Sequence, residues 1–153
     1  MNPKWGHLSW QPDSRHITEM HYSVYDSNDG SVTVNPGIPT KAARAKTAAE
    51  GRASREFPLR DVSGDHPSVS PDGKLVVTDT TLENFGGRRT DWGVVLADAD
   101  GTGQVIIHKF DNSHGARSWR VSHPHPVFRP DGKRIYYNVS DGEFTRLFVA
   151  EQK

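Results

Sequence analysis

Asp65-His66-Pro67-Ser68-Val69-Ser70-Pro71-Asp72 is one of three copies of a unit whose register decides the fold. The other copies are Gly6-His7-Leu8-Ser9-Trp10-Gln11-Pro12-Asp13 and Pro124-His125-Pro126-Val127-Phe128-Arg129-Pro130-Asp131. In each, a histidine stands five residues before the proline of a Pro-Asp turn, and His7, His66 and His125 follow one another at a constant spacing of 59 residues. Self-similarity at a fixed period marks stacked or radially arranged units. Units related by rotation would bring the three imidazoles together, and converging imidazoles make a metal site or a catalytic site.

Working outward from the repeated histidine, each copy carries the punctuation of consecutive antiparallel strands. In the third, 122–128 reads as a short strand, Pro130-Asp131-Gly132-Lys133 as a turn with Gly132 free to take positive φ, 134–139 as a β-branched and aromatic strand, and 144–150 as the next. The second copy repeats the plan, with strands at 74–80, 92–98 and 104–110 and a longer loop over 81–91. The first is degenerate: a turn at 12–15, one long strand over 17–25 and a short one at 31–34. Short strands, Asp-Gly turns and a long period predict an all-β, propeller-type fold of about three blades. The expected organisation is a single partial β-propeller domain over 1–153, with units at about 5–35, 61–111 and 120–151. Residues 36–60, with the alanine-rich basic run 41–50, read as an insert or linker. Three blades do not close a ring, so the reading expects self-association or further blades.

Composition excludes several classes. Nineteen basic residues balance 19 acidic ones, which argues against a nucleic-acid binder. The absence of cysteine removes both a disulfide framework and thiolate metal ligation. No run approaches the roughly 20 apolar residues that span a bilayer. Met1-Asn2-Pro3-Lys4-Trp5 lacks the apolar core of a signal peptide, so the cytoplasm is the expected compartment. Neither a nucleophile elbow nor a phosphate-cradling glycine loop is present, and no carboxylate pair suggests glycoside hydrolysis.

His123-Pro124-His125 is the sharpest local signal. In a strand, residues i and i+2 share a face, so both imidazoles would point together at a spacing suited to one cation. Pro124 lacks a backbone donor and belongs on an edge, which the innermost strand of a blade provides. The structural alternative is that these histidines bond backbone at blade junctions. The polar stretch 112–120 leads into this strand; there Arg117 and Arg120 suit bidentate capture of a carboxylate and Trp119 suits stacking on a sugar ring. Ordinary solvation and packing of the loop is the competing reading. His16 and His21 read as surface or packing residues, and His108 falls in an outer strand.

The run Ser122-His123-Pro124-His125-Pro126-Val127-Phe128-Arg129-Pro130-Asp131-Gly132-Lys133 resembles the last metal-binding blade of oligogalacturonate lyases. Asp65 to Lys74, followed by Val77-Thr78-Asp79-Thr80, resembles their preceding blade, and Trp5 to Trp10 the blade before that. The Ser-Pro-Asp-Gly-Lys element is shared with TolB-like, WD40-like propellers of many functions. The resemblance implies β-elimination cleavage of oligogalacturonides, or another acidic oligosaccharide, with a divalent metal, usually manganese. By position it implies His66, His123 and His125 as metal ligands and His7 as general base. At the position of the family's glutamine ligand this chain carries Arg120, whose guanidinium cannot coordinate a cation. The alternative function is a non-catalytic TolB-like module that binds protein or glycan.

Overall fold

The structure is a computed structural model, and it describes residues 7–19, 22–33, 64–113, 123–140 and 143–152. Eleven strands form three antiparallel sheets, and no α-helix occurs among the described residues. Sheet 1 is the meander β1 (Leu8–Trp10), β2 (His16–Glu19), β3 (Val24–Asp26) and β4 (Val32–Thr33). Sheet 2 is β5 (Ser68–Val69), β6 (Leu75–Thr81), β7 (Asp91–Asp98) and β8 (Val105–Asp111). Sheet 3 has three strands, β9 (Val127–Phe128), β10 (Arg134–Ser140) and β11 (Thr145–Glu151). The first strands of successive sheets, β1, β5 and β9, lie side by side. This is the arrangement of propeller blades around an axis, so the all-β, partial-propeller expectation holds.

The Pro-Asp turn sets each blade in the same way. Asp13, Asp72 and Asp131 each accept, on Oδ1, the backbone N–H two residues on, from Arg15 at 2.9 Å, Lys74 at 3.1 Å and Lys133 at 3.0 Å. Such Asx turns reverse the chain at low cost. Gly73 and Gly132 take φ of 73° and 72°, as the turn demands, while the degenerate first copy puts Ser14 there at 55°.

Packing follows strand alternation. Val69, Val76 and Ala97 lie opposite one another on one face of sheet 2 and pack with Tyr22 of the turn between β2 and β3. Val77 and Val94 occupy the other face and pack with Ile135, Tyr137 and Val139 of sheet 3. Sheet 2 is therefore buried on both faces and reads as a near-continuous apolar run in β7. Gly64 lies so close to β6 that a Cβ there would stand 1.7 Å from Thr78 Oγ1. The smallest residue thus seats the segment that carries His66.

Two strand expectations need correction. The strand over 122–128 shrinks to Val127–Phe128, because Pro124 and Pro126 donate no N–H and His125 takes a left-handed φ of 46°. The long strand over 17–25 is two strands, reversed at Tyr22, whose N–H bonds Glu19 O at 2.8 Å and whose φ is 61°. The insert 36–60 lies outside the described residues, as do Arg117, Trp119, Arg120 and His21. No helix among the described residues is long and apolar enough to cross a membrane.

Candidate metal centre

The repeat places one histidine just before the inner strand of each blade, and the three imidazoles meet. The His66 ring centroid is 4.0 Å from that of His7 and 3.7 Å from that of His125. His123 joins from the side, 5.1 Å from His66 and edge-on to it. An open groove of about 250 Å³ runs along the cluster, lined by the equivalent triplets 7–9, 66–68 and 125–127. The four histidines singled out in the sequence are thus brought together around His66.

The route differs from the expected one at the His-Pro-His pair. These residues are not in a strand, and their rings stand 6.1 Å apart. What brings both toward His66 is the left-handed turn at His125 between two buried prolines. Pro124 accepts the Asn138 N–H at 2.8 Å, which ties this turn to β10.

Asp79, on β6, organises the centre, and sequence reading did not single it out. It is fully buried. Its Oδ1 accepts the His66 backbone N–H at 3.0 Å and its Oδ2 accepts the His125 backbone N–H at 2.9 Å. The His66 Nδ1 lies 2.9 Å and 3.0 Å from the two carboxylate oxygens, so the ring proton sits on Nδ1 and points at Asp79. That leaves the Nε2 lone pair for another partner. A carboxylate behind a histidine in this way fixes the tautomer and raises the basicity of the free nitrogen. The only signal available in the sequence was position: Asp79 faces inward on the strand that follows His66, in a run of buried residues where an acid needs partners.

Burial pushes the His66 pKa below its ordinary value, with the neighbouring imidazoles adding to that and Asp79 opposing it. The ring is therefore neutral near pH 7, the form that binds cations or takes protons. Ligating atoms of His66, Asp79 and His123 lie within 4.8 Å of one another. Because three N–H groups occupy the Asp79 oxygens, this carboxylate orients ligands and is not the better candidate for coordination. Asp65 stands 3.8 Å from His123 Nδ1, a second acid behind a second imidazole. Two imidazoles beside a carboxylate suit a borderline divalent cation, while among the described residues His125 stands outside this group of ligating atoms. On ligand type alone, imidazoles favour zinc, iron or nickel over manganese. Trp92 packs against the His123 ring at 4.6 Å and closes that side.

Among protein-family models and among curated proteins, nothing matches this chain. Solved structures do. TolB from Acinetobacter baumannii aligns with 95% of this chain and 40% of its own, at 12% identity and a TM-score of 0.40. A chain of the nidogen/laminin complex aligns with 92% of this chain and 46% of its own, at 13% identity and a TM-score of 0.46. A TolB-like protein from Agrobacterium tumefaciens aligns over 95% and 57%, at 14% identity and a TM-score of 0.36. The chain thus spans 40% to 57% of the length of these structures.

Proposed function

We propose that the histidine cluster is the metal and proton-abstraction centre of an oligogalacturonate lyase-type activity. The observation that carries this reading is the gathering of His7, His123 and His125 around a His66 whose tautomer is held by Asp79. In this reading His66, His123 and His125 hold a divalent cation, manganese or one of the metals that imidazole prefers. Such a cation supplies positive charge to a uronate carboxylate and so stabilises the charge that develops when the adjacent C5 proton leaves. His7, exposed on the groove and stacked on His66, takes that proton. The C5–H electron pair becomes the C4=C5 double bond as the C4–O bond breaks, and the departing sugar oxygen takes a proton from water, leaving an unsaturated uronate. Arg117, Arg120 and Trp119 hold the acidic sugar in the same reading.

Purified protein incubated with oligogalacturonide and either manganese or zinc tests it, with product followed by the ultraviolet absorbance of the unsaturated uronate. His7→Ala is expected to keep metal binding and to lose turnover by about 10²–10⁴-fold, the usual worth of a general base. His66→Ala is expected to lose both. Absence of metal binding and of absorbance in the wild-type protein refutes the proposal.

One observation favours a second reading, a TolB-like module that binds glycan or protein without turnover: Arg120 stands where the family it resembles carries a neutral ligand. Binding of oligogalacturonide with no absorbance change, unaltered by metal removal, would select it.

A further inference from the structure

One packing site occurs at both seams between the sheets, and a side chain fills it at only one of them. At the 59-residue spacing Phe128 and Ile135 are the equivalents of Val69 and Val76, and Ala150 pairs across the strands with Ile135 as Ala97 does with Val76. In the seam between sheets 1 and 2, Tyr22 packs with Val69, Val76 and Ala97. Tyr22 is only 3% exposed, and a Cβ on Gly101 would stand 3.0 Å from its ring. In the seam between sheets 2 and 3, no side chain among the described residues takes that place. Phe128, Ile135 and Ala150 there line an open, mainly apolar groove of about 240 Å³, together with Leu75, Leu96 and Ile107 of sheet 2.

The rim of the groove is charged. Gly132 and Lys133 of the Pro-Asp turn border it, as does Glu151, at the opposite end of β9 from the histidines. Arg134 holds Glu151, and Arg129 holds Asp131 at 3.1 Å. Lys133 is exposed and makes no ion pair among the described residues, whereas its equivalent Lys74 reaches Asp72 at 3.7 Å. We propose that this groove binds a single-ring aromatic acid, with the ring between the two sheets and the carboxylate on Lys133. Three observations select that occupant. The equivalent place in the other seam already takes a phenol ring. An apolar cavity of about 150 Å³ holds benzene, so this groove has room for one ring and a short charged arm. The unpaired ammonium at the mouth complements an anion. An apolar cleft with a few polar groups at its edge is also the usual form of a small-molecule site. The groove lies between two sheets already packed on each other, so a further sheet against sheet 1 or the outer face of sheet 3 would leave it in place.

The inference is independent of metal and uronate, and it is tested without either. Phenylacetate and its neutral counterpart phenylacetamide are titrated into the full chain in metal-free buffer, with amide nuclear magnetic resonance spectra as the readout. Saturable shifts at Phe128, Gly132, Ile135 and Ala150 are expected, with the acid bound more tightly than the amide. Lys133→Gln is expected to weaken the acid by about five-fold, the upper worth of an exposed ion pair, and to leave the amide unchanged. Ala150→Leu extends a side chain into the groove and is expected to lose both probes. Lys133 is exposed, so its variant keeps the proposal testable whether or not Ala150→Leu folds. Absence of shifts at millimolar acid overturns the proposal, as do shifts confined to the histidine cluster. Equal binding of acid and amide by the wild-type chain, equal weakening of both by Lys133→Gln, or unaltered binding by a folded Ala150→Leu also overturns it.

Discussion

At the scale of single residues, Asp79 carries more of the centre than any histidine, because three N–H groups from two blades converge on its carboxylate. Asp79→Asn removes the charge and turns an amide NH₂ toward donors. An acid that holds a ligating imidazole from behind is worth about 10–100-fold in metal affinity, and leaving buried donors unsatisfied costs about 1–3 kcal/mol. Titration calorimetry with zinc or manganese and denaturant melts are expected to show both losses together. His66→Ala, by contrast, should lose the metal while keeping most stability. The histidines were legible in the sequence, since a fixed spacing of an uncommon residue type is visible in one dimension. Asp79 was not, because a buried acid in a valine-rich strand becomes meaningful only once its partners are known.

Among elements, the contact of β8 with β10 and β11 includes one imidazole. His108 packs within 5.2 Å of Tyr137, 5.6 Å of Phe148 and 5.8 Å of Phe110, and burial lowers its pKa. The folded state therefore binds the proton less tightly than the unfolded chain, whose histidine titrates at the ordinary 6.5. The stabilisation is complete above that value and is lost as the pH falls through the folded pKa. Urea midpoints should drop between about pH 8 and about pH 5, and His108→Phe should flatten part of that slope; His66, shifted in the same direction, adds to it. Gly64→Ala tests the seat of the His66 segment. Its Cβ would overlap Thr78, so stability should fall by about 1–3 kcal/mol, the usual cost of overpacking. The long strands of sheets 2 and 3 were readable to within a residue or two at their ends, because alternation and Asp-Gly turns agree there. The inner strand at 127–128 and the break at Tyr22 were not, because proline chemistry and a left-handed residue override apolar pattern.

For the molecule as a whole, sheet 2 is the spine. Its Val76 and Val77 are both buried and face opposite neighbours. Sheet 1 shares a smaller cluster with it than sheet 3 does. Amide hydrogen exchange should accordingly be slowest in β6 and β7 and fastest in sheet 1, where β4 is two exposed residues. Uniform exchange across the three sheets would refute that order. Propeller-type stacking was foreseeable from the period alone.

The hydrogen bond from His125 to Asp79 joins sheet 3 to sheet 2 at their inner rim. Anything that grips His66 and His125 at once therefore rivets two neighbouring layers as well as filling a cleft. Occupancy and resistance to heat become one linked equilibrium: a cation present at 100 times its dissociation constant adds about 2.7 kcal/mol to the clasped form. Melting curves recorded with and without added cation would thus report on the centre even where no turnover is seen.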